Sequence, residues 1–103
     1  MKFLKLFEPI RIGSVEVKNR IVMPPLTTMF ANKNGSVSER LKNYYIERAK
    51  GGVGLIIIES TIFDWPVGKL VPVQLRIDDE KFIPGLRKLS DAIQQHGAKV
   101  LYK

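Results

Sequence analysis

Cysteine is absent from the 103 residues. That excludes disulfides, thiolate metal sites and cysteine nucleophiles within this chain, and it leaves the redox compartment open. Long apolar runs are missing as well. The longest, Val53 to Ile58, is far short of the roughly 20 residues that span a bilayer. Glu8 and Pro9 interrupt the basic, apolar opening Met1 to Phe7 before a signal-peptide core develops. Acidic residues are few, with 10 Asp and Glu against 17 Lys and Arg, a formal charge of +7. The bases are nevertheless scattered singly or in pairs with acids nearby, and no aromatic-interleaved basic tract occurs, so nucleic acid is not an expected partner. An anionic small ligand accounts for the excess equally well. Internal repeats and low-complexity tracts are also missing. What remains, 45% hydrophobic and 26% charged, is the balance of one soluble globular domain, expected to be cytoplasmic and free of the membrane.

The pattern along the chain alternates between two periods. Ile10 to Ile12 and Val15 to Val17 alternate apolar and polar residues around Gly13-Ser14, the signature of a β-hairpin with a two-residue turn. Arg20 to Met23 reads as a first core strand, stopped by Pro24-Pro25 because proline cannot donate to a ladder. Ser36-Val37-Ser38-Glu39 fits a capping box, with Ser36 as the capping hydroxyl and Glu39 reaching back. The helix predicted to follow carries Val37, Leu41, Tyr44, Tyr45 and Ala49 on one stripe and stops at Gly51-Gly52. Val53 to Ile58 has the composition of a strand buried on both faces. Phe82, Leu86, Leu89 and Ile93 mark a second helix, with Pro84 in its first turns and Gly97 at its stop, and Lys99 to Tyr102 is a third core strand. Ile62 to Asp78, 17 residues with Trp65-Pro66, Gly68 and Pro72, is longer than ordinary connections and is read as a functional rim loop.

Hairpin, β, α, β, α, β implies parallel strands under helices, which is either a doubly wound sheet or part of a (β/α)8 barrel. A complete barrel takes roughly 250 residues. No glycine-rich phosphate loop follows the first strand, which disfavours a flavodoxin-like nucleotide binder. In every parallel α/β fold ligands gather beyond the carboxyl ends of the strands. Here those positions are Pro24 to Thr28, Glu59 to Thr61 and Lys103.

The same residues carry a resemblance. "LFEPIRIGSVEVKNRIVMPPLTTMFANKNGSVSERLKNYYIERAKGGVGLIIIES", followed by "GLRKLSDAIQQHGAKVLYK", resembles the N-terminal third of the Old Yellow Enzyme family of FMN-dependent NAD(P)H:flavin oxidoreductases. Within it, "TTMFANKNGSVSER" and "YYIERAKGGVGLII" are most similar to the 2-enoate reductase and 2,4-dienoyl-CoA reductase branch. The resemblance implies an α/β fold in which residues 1–103 form the N-terminal part of a (β/α)8 TIM barrel, the remainder lying outside this chain, with the hairpin at its lower end. It implies FMN across the carboxyl ends of the strands, NADH or NADPH as reductant, and a small unsaturated substrate whose β-carbon receives the hydride. It assigns Pro25, Leu26 and Thr27 to the flavin ring, the threonine hydroxyl near the C4 carbonyl, and Ser60 to a small position against the pyrimidine. Lys103 stands where the family usually has glutamine at the pyrimidine edge. A donor there would stabilise the charge that the ring gains on reduction. No catalytic residue and no metal ligand is expected among these residues, because the family's substrate-anchoring His/Asn or His/His pair, its tyrosine proton donor and its phosphate site come from later strands. The 2-enoate reductase branch further implies a 4Fe-4S cluster and FAD beyond this chain.

The other chemistry-bearing side chains have structural readings. Glu59 is either a carboxylate base or, preferably, the partner of a nearby Lys or Arg. His96, in the last turn of the second helix, suits the helix dipole. Tyr44 and Tyr45 pack on an apolar stripe, while Phe63 and Trp65 either line a substrate pocket or anchor the long loop. A different class of function stands beside the enzyme: a truncated, non-catalytic half-barrel whose open sheet edge completes a partner or recruits a second copy. On either reading a homo-oligomer is expected.

Overall fold

The computed structural model describes residues 4–103. Met1 to Phe3 of the opening basic and apolar stretch lie outside them, and Leu4–Phe7 forms a single 3-10 turn. The predicted hairpin follows as β1 (Ile10–Ile12) and β2 (Val15–Val17), antiparallel with Ile10 opposite Val17. Gly13 turns it at φ +61, a conformation that costs little only without a Cβ.

The main sheet is parallel and three-stranded, in the order β3 (Val22–Met23), β4 (Leu55–Ile58), β7 (Lys99–Tyr102). The strand β3 is shorter than the expected Arg20 to Met23. The Arg20 amide donates to the Leu6 carbonyl at 2.8 Å, and the Asn19 side chain bridges the Ile21 amide and the Gly52 carbonyl, so the ladder begins only after Ile21. Helix α1 (Glu39–Lys50) links β3 to β4 and α2 (Ile83–Gln94) leads into β7. The capping hydroxyl of α1 belongs to Ser38, which accepts from the Leu41 amide at 3.0 Å, and not to Ser36. Ser36 is taken up instead in a polar turn, where its amide and hydroxyl both bond Asn34 Oδ1.

Between sheet and helices lies one apolar layer that includes Leu41, Tyr45, Ile56, Ile58, Leu89 and Ile93, all fully buried. Each aliphatic side chain among them contributes about 1.5–3 kcal/mol by leaving water. Tyr102 ties β7 to α2 by donating to the Leu86 carbonyl at 3.0 Å and pairing with Ser90 at 2.7 Å. The other face of the sheet differs from expectation. Burial along β4 alternates, with Ile56 and Ile58 enclosed and Leu55 and Ile57 only half-buried, and Val22 and Leu101 are exposed. The hairpin approaches that face, with Ile12, Val15 and Val17 forming an apolar cleft with Leu55, Lys99 and Leu101. Those sheet residues, together with the bond from Lys18 Nζ to the His96 carbonyl at 3.1 Å, put the hairpin at the amino ends of the strands. No helix of the described residues is long and apolar enough to cross a membrane.

Candidate functional site

The carboxyl ends of β3, β4 and β7 lie opposite the hairpin, and two sets of bonds hold them together. At the end of β7 the Lys103 amide donates to the Ile58 carbonyl at 3.3 Å while its own carbonyl accepts from the Thr61 amide at 3.2 Å, which keeps Lys103 beside Ser60. At the end of β3, the segment after Pro24-Pro25 is fastened to the tip of β4 by Thr28, whose hydroxyl donates to Glu59 Oε1 at 2.8 Å. The Thr28 oxygen also accepts from the Phe30 amide at 3.1 Å, closing a turn in which Met29 adopts φ +59. That left-handed region disfavours any residue with a side chain by about 1–2 kcal/mol. The Phe30 carbonyl in turn accepts from the Ser38 hydroxyl, so the cap of α1 and the strand-end loop share one residue.

Glu59 is the hub of this arrangement and is fully buried. The expected ion pair is not there: among the described residues no Lys, Arg or His forms a salt bridge with it. Its Oε1 accepts from Thr28 and from the Tyr45 hydroxyl, the latter at 3.0 Å, and Oε2 is buried without a partner. The Tyr45 hydroxyl also accepts from the Glu59 amide at 3.1 Å. Burial is the leading cause that pushes this hydroxyl above the usual tyrosine range, so it stays a neutral donor. Neutral partners supply hydrogen bonds but not charge, an expensive setting for a carboxyl that an apolar residue could have replaced.

The sequence-predicted residues are brought to one end of the sheet. Pro25 and Ser60 are half-buried, whereas Leu26, Thr27 and Lys103 are exposed. Ser60 is not a bare loop residue. Its carbonyl and hydroxyl both accept from Gln74 Nε2 at 3.2 Å, and Gln74 Oε1 accepts from the Leu70 amide at 2.8 Å, which clamps the rim loop to the β4 tip. Within that loop β5 (Thr61–Ile62) pairs in parallel with β6 (Leu75–Arg76), regularity that the proline- and glycine-rich sequence conceals.

Trp65 anchors this loop. The Arg76 guanidinium lies 4.1 Å from the Trp65 ring centre and 4.9 Å from that of Phe82, and it grips Asp78 through two bonds of 2.8 Å. Those bonds hold the Asp78 carboxyl below the ordinary carboxylate range. Phe63, by contrast, is 81% exposed. Tyr44 stacks edge-on against Phe30 and Tyr45 as a packing residue. His96 lies just past the end of α2, where its backbone carbonyl and not its ring is engaged by Lys18. No cluster of metal-ligating side chains occurs among the described residues. Thr28 was among the predicted strand-end positions, but its fastening role and that of Gln74 escaped sequence reasoning because a threonine after a proline pair and a glutamine in a loop are ordinary; the single available signal was Glu59, a carboxyl ending an apolar strand.

Comparison with known proteins gives a consistent picture. The family model of the NADH:flavin oxidoreductase / NADH oxidase family matches residues 5–103. An NADH oxidase of Thermoanaerobacter brockii is 52% identical over 98 residues, which is 95% of this chain and 15% of that protein. A metal reductase of Desulforamulus reducens is 41% identical over 96 residues, 14% of its length. Among solved structures, a 2-naphthoyl-CoA reductase in complex with 2-naphthoyl-CoA superposes with a TM-score of 0.91 at 35% identity, covering 96% of this chain and 15% of that one. The Old Yellow Enzyme of a Pichia species gives 0.87 at 28% identity, covering 95% of this chain and 25% of its own. The chain therefore spans about 15% of the length of the first of these relatives, and its βαβαβ unit with a leading hairpin is the N-terminal portion of a (β/α)8 barrel. The chain belongs to the NADH:flavin oxidoreductase / NADH oxidase family.

Proposed function

We propose that this chain forms the first part of the FMN bed in an NAD(P)H-dependent reductase of activated alkenes, of the ene-reductase or dienoyl-CoA and 2-enoate reductase type. The observation that carries the reading is the strand-end ledge. Thr28 bonded to Glu59, and Lys103 bonded between Ile58 and Thr61, gather Pro25, Leu26, Thr27, Ser60 and Lys103 at one end of a parallel sheet. Its chemistry suits a flat ring with one polar edge: Pro25 and Leu26 offer apolar surface, Thr27 a hydroxyl donor and Lys103 a positive charge that favours electron-rich edges. Ser60, held by Gln74, adds a small surface that leaves room beside them. Bound there, FMN would supply the two-electron relay between NAD(P)H and the alkene. The residues of this chain hold and polarise that group; proton donation to substrate belongs to side chains outside it.

We extend the reading to a small unsaturated substrate, to a cytoplasmic homo-oligomer with neither nucleic acid nor membrane as partner, and to a 4Fe-4S cluster and FAD in further sequence. This chain spans 15% of the length of the NADH oxidase it resembles, which leaves room for such groups. The test is the absorbance at about 450 nm of the purified full-length protein that carries this chain, with acceptor-dependent oxidation of NADH and NADPH. A yellow protein that consumes either reductant when given an enone or enoyl thioester supports the proposal, and a colourless one overturns it. The open sheet face, with Val22 46% and Leu101 55% exposed, favours a second reading, a non-catalytic half-barrel that pairs with another copy. Light scattering of a colourless, self-associating chain would support that instead.

A further inference from the structure

We infer that Glu59 is a positioning residue that acts through the Thr28 hydroxyl to fix the Pro25–Thr27 segment, and so to present Thr27 to the flavin. The inference rests on the flavin reading above. It starts from a polar residue where the strand pattern would take an apolar one. A carboxyl at the end of Leu55–Ile58 is fully buried, has no ion-pair partner among the described residues and leaves Oε2 without a bond, where another aliphatic residue would simply continue the strand. What it gains is two hydroxyl contacts on a single oxygen. Tyr45 approaches from α1 and sets the orientation of the carboxyl, and Thr28 approaches from the loop and is set by it.

The geometry transmits that placement to Thr27. Upstream, Met23 is locked in the ladder opposite Ile56. Downstream, Thr28 is locked to Glu59, and the turn it closes onto the Phe30 amide carries Met29 at φ +59, a conformation that would relax without that bond. Only Pro24, Pro25, Leu26 and Thr27 lie between the two fixed points, and the rings of two of the four hold their own φ angles. Little freedom is left, so the Thr28 bond decides where Thr27 stands. A one-bond latch on a segment already stiffened by prolines positions a neighbour closely, as a flavin contact requires.

The test uses the purified full-length protein that carries this chain, with FMN. Thr28→Val keeps the shape and removes the hydroxyl, while Thr28→Ser keeps the hydroxyl; Glu59→Leu and Glu59→Gln are the matching pair on the other side. Thr28→Val and Glu59→Leu are expected to raise the FMN dissociation constant roughly three- to tenfold and to shift the flavin midpoint potential. Exchange of the Phe30 amide should quicken by about tenfold in Thr28→Val. Thr28→Ser and Glu59→Gln should stay within about twofold of wild type in affinity. If Thr28→Val exchanges faster at Phe30 yet keeps wild-type FMN affinity and potential, the bond is merely structural and the positioning role is overturned while the flavin reading stands. Wild-type protein that takes up no FMN overturns both.

Discussion

Replacing Tyr45 by phenylalanine is the sharpest probe of the buried network beneath the strand ends. The ring stays, so no cavity larger than a hydroxyl opens in the core around Leu41, Ile56 and Ile58. What is lost is a hydroxyl that donates to Glu59 Oε1 at 3.0 Å and accepts from the Glu59 amide at 3.1 Å. Oε1 keeps its bond from Thr28, but the Glu59 amide loses the hydroxyl it donates to. One net hydrogen bond and one orphaned buried donor together amount to about 1.5–4.5 kcal/mol. Urea unfolding should therefore show a lower midpoint at unchanged slope. The pH dependence gives a second signature. Burial raises the Tyr45 hydroxyl above its unfolded value, so its stabilisation is complete below pH about 10 and is lost as pH rises from there through the folded value, because the unfolded chain ionises first. Tyr45→Phe should lack that alkaline decline. A variant as stable as wild type, with the same loss of stability above pH about 10, would show that the Tyr45–Glu59 contact does not support the strand ends.

Other outcomes follow from single contacts. Ser38→Ala removes the α1 cap and the bond to Phe30 and should cost about 1–2 kcal/mol in the same assay. In Gly54→Ala the added Cβ would lie against Asn19 Oδ1, which the side chain's bonds to Ile21 and Gly52 hold in place, and 2.7 Å from the Asn19 backbone carbonyl oxygen; thermal unfolding should show a loss of about 2 kcal/mol or more. Asp78→Asn should flatten the acid side of the stability curve: Arg76 holds the folded carboxyl below its unfolded value, so that stabilisation is present above pH about 4 and disappears as pH falls through the folded value. Thr27→Val should shift the flavin midpoint potential without changing the unfolding midpoint, since Thr27 is exposed.

The amino-acid sequence by itself determined the order of the hairpin, the helices and the core strands, and the residues at the strand ends. Gly13-Ser14 between alternating triplets, the 3.6-residue spacing of Leu86, Leu89 and Ile93, and the proline pair after Met23 are local signals, each acting within a turn or two of backbone. Locally balanced choices were decided elsewhere in the chain. Ser36 and Ser38 both suit a helix cap, and the pairing of Ser38 with the Phe30 carbonyl settles which one caps. The family resemblance could assign Thr27 to the flavin but not indicate what holds it. Glu59 looked like half of an ion pair because charge is visible in a sequence and enclosure is not; its real partners stand 14 and 31 residues away along the chain. Such contacts depend on how a helix and two strand ends are stacked. Only the tertiary structure could therefore turn a buried carboxyl into the fastening point of the ledge.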